Sequence, residues 1–148
     1  MLNELRNEIQ VAEHLNISDL MCINHIHRDT ETNDIEKAIS GLAKTHETIR
    51  AYEGHSTLVN YALVAADGLQ RIFTRRGGNI LDIVQSAYLI KKLGGCVYYP
   101  DGREIFPIRI DDLQMNGSKL ILGFNIASSN SAKESILQNI KDLTIENK

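Results

Sequence analysis

Between Leu58 and Ala66 the chain reads Leu-Val-Asn-Tyr-Ala-Leu-Val-Ala-Ala, without a single charge. At helical pitch this segment is apolar around most of its circumference, and such a helix is stable only when other structure covers it on more than one side. A chain with that helix in its middle must therefore fold in layers. Around it, two apolar periods alternate. Leu2, Leu5, Ile9 and Ala12 recur at three- and four-residue spacing, as do Ile35, Ala38, Ile39 and Leu42. The same spacing returns in Ile80, Ile83, Val84, Ala87 and Ile90, and again in Ile136, Leu137, Ile140 and Leu143. These are helix signals. Short, dense apolar or β-prone runs stand between them at 20–27, 48–52, 69–74, 96–99, 104–106 and 120–124, and read as strands. Helices and strands alternating along one unbroken chain place the fold in the α/β class, as a single layered domain over 1–148 that opens with a helix over 1–16.

Local chemistry marks the boundaries. Thr32 or Asn33 caps the helix that ends near His46, and Asp67-Gly68 stops the uncharged one. Arg75-Arg76-Gly77-Gly78 reads as a basic, flexible loop. Asn79 caps the next helix, which carries Lys91 and Lys92 in its last turn and stops at Gly94-Gly95. Pro100-Asp101-Gly102-Arg103 predicts a tight turn between two strands, which rules out a purely parallel sheet. The stretch 111–118 reads as a polar loop, and 120–124 as a central strand buried on both faces. Ser131 and Glu134 have the spacing of a capping box for the last helix.

Composition narrows the partners. The 148 residues include 19 acidic and 16 basic side chains, a net charge of −3. Nucleic-acid and membrane surfaces both select a cationic field, so neither is expected as a partner. No apolar run approaches the roughly 20 residues that span a bilayer, and no basic-then-apolar leader follows Met1. Two cysteines, Cys22 and Cys96, make no disulfide framework, so a reduced, cytoplasmic setting is expected.

Few residues carry chemistry on their own. Asp82 falls in the first turn of the helix capped by Asn79, where the dipole favours a carboxylate and leaves it available to a cation; the plainer reading is a good helix-start residue. His25 and His27 alternate on a strand, so they share a face and have the spacing of a metal-binding pair; a plain solvent-facing polar edge is the commoner explanation of such a pair. Both cysteines lie in apolar strand surroundings, where a thiol is inert. The sequence has no nucleophile elbow and no glycine-rich phosphate loop. The small polar turn Gly54-His55-Ser56-Thr57 offers backbone amides at the start of the uncharged helix, suited to a phosphate or hydroxyl.

Taken together, several strings resemble the C-terminal half of the magnesium-dependent inositol monophosphatase family, a superfamily that includes fructose-1,6-bisphosphatases and bisphosphate nucleotidases. The segment from Leu58 to Gly68 is similar to the family's small-residue helix and its glycine stop. Leu81-Asp82-Ile83-Val84, then Leu93-Gly94-Gly95-Cys96-Val97 and Pro100-Asp101-Gly102, resemble its tryptophan-aspartate helix, glycine pair and turn. Ile126-Ala127-Ser128-Ser129-Asn130 resembles its closing signature. Order and spacing agree over residues 17–143. The resemblance implies a mixed, about five-stranded β-sheet flanked by helices over 17–145.

It also makes Asp82 a ligand of a Mg²⁺ cluster that activates water against a phosphate monoester of a sugar, inositol or nucleotide. Ser56 and Thr57 fall on the substrate-binding turn. Arg75 stands seven residues before Asp82, where inositol-specific members carry glutamate, and Arg75 with Arg76 suits a second anionic group. Leu81 replaces the family's tryptophan, and His55 replaces a glycine. Nothing matches the family's N-terminal half, which holds most of its metal ligands. The resulting expectation is a module that becomes a Mg²⁺-dependent phosphatase only when completed by an N-terminal half from another chain or a longer protein. The alternative is a catalytically silent module that binds an anionic metabolite or a protein. Either way, a partner protein or a homo-oligomer is expected to cover the exposed face.

Overall fold

The computed structural model describes residues 21–25, 35, 39, 61, 64, 71–75 and 77–146. The helix expected over 1–16, the strand over 48–52, the Gly54–Thr57 turn and the Asp67-Gly68 stop lie outside them. In chain order the elements are β1 (Met21–His25), β2 (Arg71–Arg75), β3 (Gly78–Asn79), α1 (Ile80–Lys92), β4 (Gly95–Tyr98), a 3-10 turn (Ile110–Asp112), β5 (Leu113–Asn116), β6 (Lys119–Leu122), β7 (Asn125–Ser129) and α2 (Asn130–Glu146). The fold is α/β, with a mixed sheet in order β1-β2-β7-β4 and a small antiparallel sheet in order β3-β6-β5. β1 and β2 run parallel, while β7 lies antiparallel to both β2 and β4.

Alternation along the strands divides the core into two layers. Phe73, Val97 and Ala127 point to one face, where Ile83, Ala87 and Ile90 of α1 meet them with the helical residues Tyr61 and Val64. Ile72, Cys96, Tyr98 and Ile126 point to the other, against Ile136 and Ile140 of α2 and the helical residue Ile39. Tyr61 and Val64 are fully buried, as an uncharged central helix requires. The helix–sheet–helix layering follows from this division.

Four local expectations are corrected. Residues 104–106 form no strand; a single bridge joins Glu104 to Tyr98, and the chain turns away through a cis Phe106–Pro107 bond. Residues 113–116, expected as part of a loop, are strand β5, because each pairs with a residue of β6 from Leu122 to Lys119. β6 stops at Leu122 and lies in the small sheet with Lys119 and Leu120 exposed, so it is not the central strand. That place belongs to β7, buried at every residue and paired on both sides. Finally, α2 begins at Asn130, ahead of the Ser131–Glu134 box. The Ser129 hydroxyl accepts from the Ala132 amide at 3.2 Å, a cap two residues earlier than the sequence suggests.

Candidate functional site

The site assembles where β2 and β7 meet the start of α1. Arg75, the last residue of β2, pairs in register with Asn125, the first of β7. On its other side β1 places His25 opposite Arg75. Asn125 is fully buried and its amide donates to the Gly123 carbonyl at 3.0 Å. The Tyr61 hydroxyl donates to the Asn125 side-chain oxygen. Tyr61 is fixed in turn by an edge-on contact with Phe73, ring centres 4.8 Å apart. This buried polar cluster keeps the strand ends in register, since each of its groups would be costly to leave unpaired.

Arg75 does not lie in a flexible basic loop, as the sequence suggested. It belongs to a strand and is 7% exposed. Its guanidinium rests against Gly78, where an added Cβ would stand 2.0 Å from Nη2 and 2.5 Å from Cζ. Burial draws the pKa of Arg75 below its ordinary value, while the neighbouring Tyr61 and Asp82 push it upward. Gly78 immediately precedes Asn79, whose side chain accepts from the Leu81 amide at 3.1 Å and starts α1. The guanidinium therefore lies beside the positive end of that helix, and Asp82 sits one turn further on with an exposed side chain. The Asp82 carbonyl is engaged separately, accepting from the Ser86 hydroxyl at 3.2 Å.

The structure thus brings Arg75 and Asp82 to one end of the sheet, with different exposures. Asp82 presents a carboxylate to solvent and fits one oxygen position of a hard divalent cation. Arg75 is a buried cation in its field. Ser56, Thr57 and His27 lie outside the described residues, as do His55 and Arg76. Among the described residues, no group of three or more His, Cys, Asp or Glu side chains converges as a metal site. Tyr61, Asn125 and Gly78 were missed as members of the site. The Gly77-Gly78 pair was the one available signal, and it reads as flexibility until the guanidinium is seen against it.

Cys96 is buried, with its thiol directed at the Ser128 carbonyl, and burial pushes its pKa up to about 11. It is as inert as its sequence context implied. Leu81 is 71% exposed beside Asp82.

No protein-family model and no curated protein sequence matches the chain. Solved structures share its fold, two of them inositol monophosphatases. One is an inositol monophosphatase from Anabaena (Nostoc) sp. PCC 7120, similar over 90% of this chain and 48% of its own, at 20% identity and a TM-score of 0.64. The other is SaIMPase-II with inositol monophosphate bound, similar over 94% of this chain and 49% of its own, at 14% identity and a TM-score of 0.63. The chain therefore spans about half the length of either structure. At these identities the likeness speaks for the fold alone.

Proposed function

We propose that this chain is the C-terminal module of a Mg²⁺-dependent phosphomonoesterase, and that its active site is completed by an N-terminal half from another chain or a longer protein. The observation that carries the reading is Asp82. It is an exposed carboxylate in the first turn of a helix, in a fold that matches half of two inositol monophosphatases. In the completed site Asp82 is one oxygen ligand, and Mg²⁺ supplies charge neutralisation at the phosphate ester. Ser56 and Thr57 line the phosphate side of the substrate. Arg75 provides positive potential from beneath the mouth of α1. The substrate class is a phosphate monoester of a sugar, inositol or nucleotide, and the setting is cytoplasmic.

The test is reconstitution. The chain is mixed with its N-terminal half, and phosphate release from inositol monophosphate and from sugar and nucleotide phosphates is followed with Mg²⁺ or with EDTA. Activity should need Mg²⁺ and should fall at least about a thousandfold on Asp82→Asn, the scale of losing a group essential to transition-state stabilisation. Turnover unaffected by that substitution would rule the reading out.

A second reading, a catalytically silent module that binds an anionic metabolite or a protein, is favoured by Leu81, which stands 71% exposed beside Asp82 where the resembled family carries tryptophan. It calls for binding of ligand or partner without turnover in every reconstitution.

A further inference from the structure

Asparagine followed by glycine is chemically unstable wherever the glycine nitrogen can reach the asparagine side chain, because no Cβ obstructs the approach. The chain has one such pair, Asn116-Gly117. It falls at the tip of the β5–β6 hairpin, where Asn116 pairs with Lys119 and a two-residue turn of Gly117 and Ser118 joins the strands. Gly117 has a φ of 60°, the left-handed value that so tight a turn demands. The whole stretch 114–120 is exposed, and a Cβ on Gly117 would meet nothing within 4 Å.

Comparable positions are held. The side chains of Asn79 and Asn125 bond to the Leu81 amide and the Gly123 carbonyl. Those of Asn130 and Asn139 donate at 2.7 Å to the carbonyls of Gly94 and Ser135. Of these five described asparagines, Asn116 is the one whose side chain has no such bond. The Asp101-Gly102 pair shows what protection requires. Its carboxylate accepts from the Arg103 amide at 2.9 Å, and the Gly102 amide donates to the Tyr99 carbonyl at 2.9 Å. Leu137 closes over it, 2.9 Å from where a Gly102 Cβ would stand. The Gly117 amide donates to no carbonyl among the described residues.

We propose that Asn116 is a spontaneous modification site whose deamidation unfastens the β5–β6 hairpin. The Gly117 nitrogen gives up its proton to solvent base and attacks the side-chain carbonyl carbon of Asn116. The new C–N bond closes a five-membered succinimide, the Cγ–Nδ2 bond breaks, and the nitrogen leaves as ammonia with the proton returned. Water then opens the ring. Attack at the side-chain carbon yields aspartate, and attack at the main-chain carbon yields isoaspartate. Only the terminal rung between Asn116 and Lys119 has to open for the ring to close, and terminal rungs open at least cost. Either product sets a carboxylate opposite Lys119. Isoaspartate also inserts a methylene into the main chain at the rung that closes the turn, so the opposition of Met115 and Leu120 is lost. No residue of the phosphatase reading takes part, so each proposal can fail without the other.

Ageing the folded full chain in warm, mildly alkaline buffer tests it, with the chain unfolded in urea as the reference. The folded chain should gain one mass unit, mapped by peptide analysis to Asn116, with isoaspartate there detected by enzymatic carboxyl methylation. Asn116→Gln, whose longer side chain cannot close a five-membered ring, should slow the gain at least about tenfold. Circular dichroism should show the fold of that variant unchanged, since the position is exposed. Amide exchange across 113–122 should quicken in the aged protein and stay slow over α1. No gain, or a gain at Asn116 only in urea, overturns the site, because the turn then protects it. A gain that maps to another asparagine, or that Asn116→Gln leaves unaltered, overturns it as well. Unchanged exchange across 113–122 in a fully aged sample overturns the unfastening of the hairpin.

Discussion

Gly78 and Arg75 compete for one volume. The guanidinium occupies the space that any side chain at position 78 would need, and Arg75 is too buried to swing clear. Gly78→Ala is therefore expected to destabilise the fold by about 1–3 kcal/mol, the usual cost of overpacking a closed interior. Urea denaturation would measure it, and a loss well under that range would mean the guanidinium has room to move. Asn79 and Asp82 were legible in the sequence because helix starts are written locally, within a few residues. Arg75 was not. Its burial follows from pairing with Asn125, fifty positions along the chain, and from a glycine whose meaning is steric and not conformational. Ser128 and Ser129 show the same limit. Both look like surface residues in sequence, yet they are buried between Cys96, Tyr98 and the start of α2.

Among the elements, α1 was readable at both ends, from the Asn79 cap to Leu93 and the left-handed Gly94 (φ 89°). β7 was not read as a strand, because Asn125-Ile-Ala-Ser-Ser mixes small polar residues into a run that only a fully paired position makes strand-like. The β5–β6 hairpin was obscured in the same way by the polar Gln114 and Asn116. What anchors that hairpin is ionic. Arg103 donates to both carboxylate oxygens of Asp112, each at 2.7 Å, while its guanidinium stacks over the Tyr99 ring at 4.5 Å. This two-pronged contact ties the Pro100–Arg103 turn to the 3-10 turn that leads into β5. Arg103→Ala is expected to speed amide exchange across 113–122 while leaving α1 protected; uniform exchange in both would show that no such tie operates. Acid should mimic the substitution. Arg103 holds the Asp112 carboxyl below its ordinary range, so the contribution is full above about pH 4 and is lost as pH falls through the lowered folded value.

For the molecule as a whole, alkaline pH is the revealing variable. Burial raises the pKa of Cys96 to about 11 and those of Tyr61 and Tyr98 further above their ordinary value. Tyr61 lies in the layer under α1 and the other two in the layer under α2. Each group must stay protonated in the fold and is free to ionise once unfolded, so the unfolded chain binds fewer protons from about pH 9 upward. Stability is therefore expected to be flat from pH 7 to 8.5 and to fall steadily through pH 9–11. Thermal melts across that range would check it, and an unchanged midpoint at pH 11 would contradict the burial of these groups. The layered α/β plan was visible from periodicity alone, because each helix and each inward strand face must find an apolar neighbour. Which strand lies in the middle was not visible, because pairing order is a long-range property.

That order carries a consequence for how the protein is made. β7 lies between β2 and β4, yet it leaves the ribosome after both. Until residues 125–129 emerge, β2 and β4 have no shared neighbour, and their apolar faces wait beside open backbone edges. Synthesis therefore builds the two flanks of the sheet first and its keystone last, so co-translational folding is held back until nearly the whole sheet has been delivered. For that interval the nascent chain is a natural client for chaperones that shield unpaired strands.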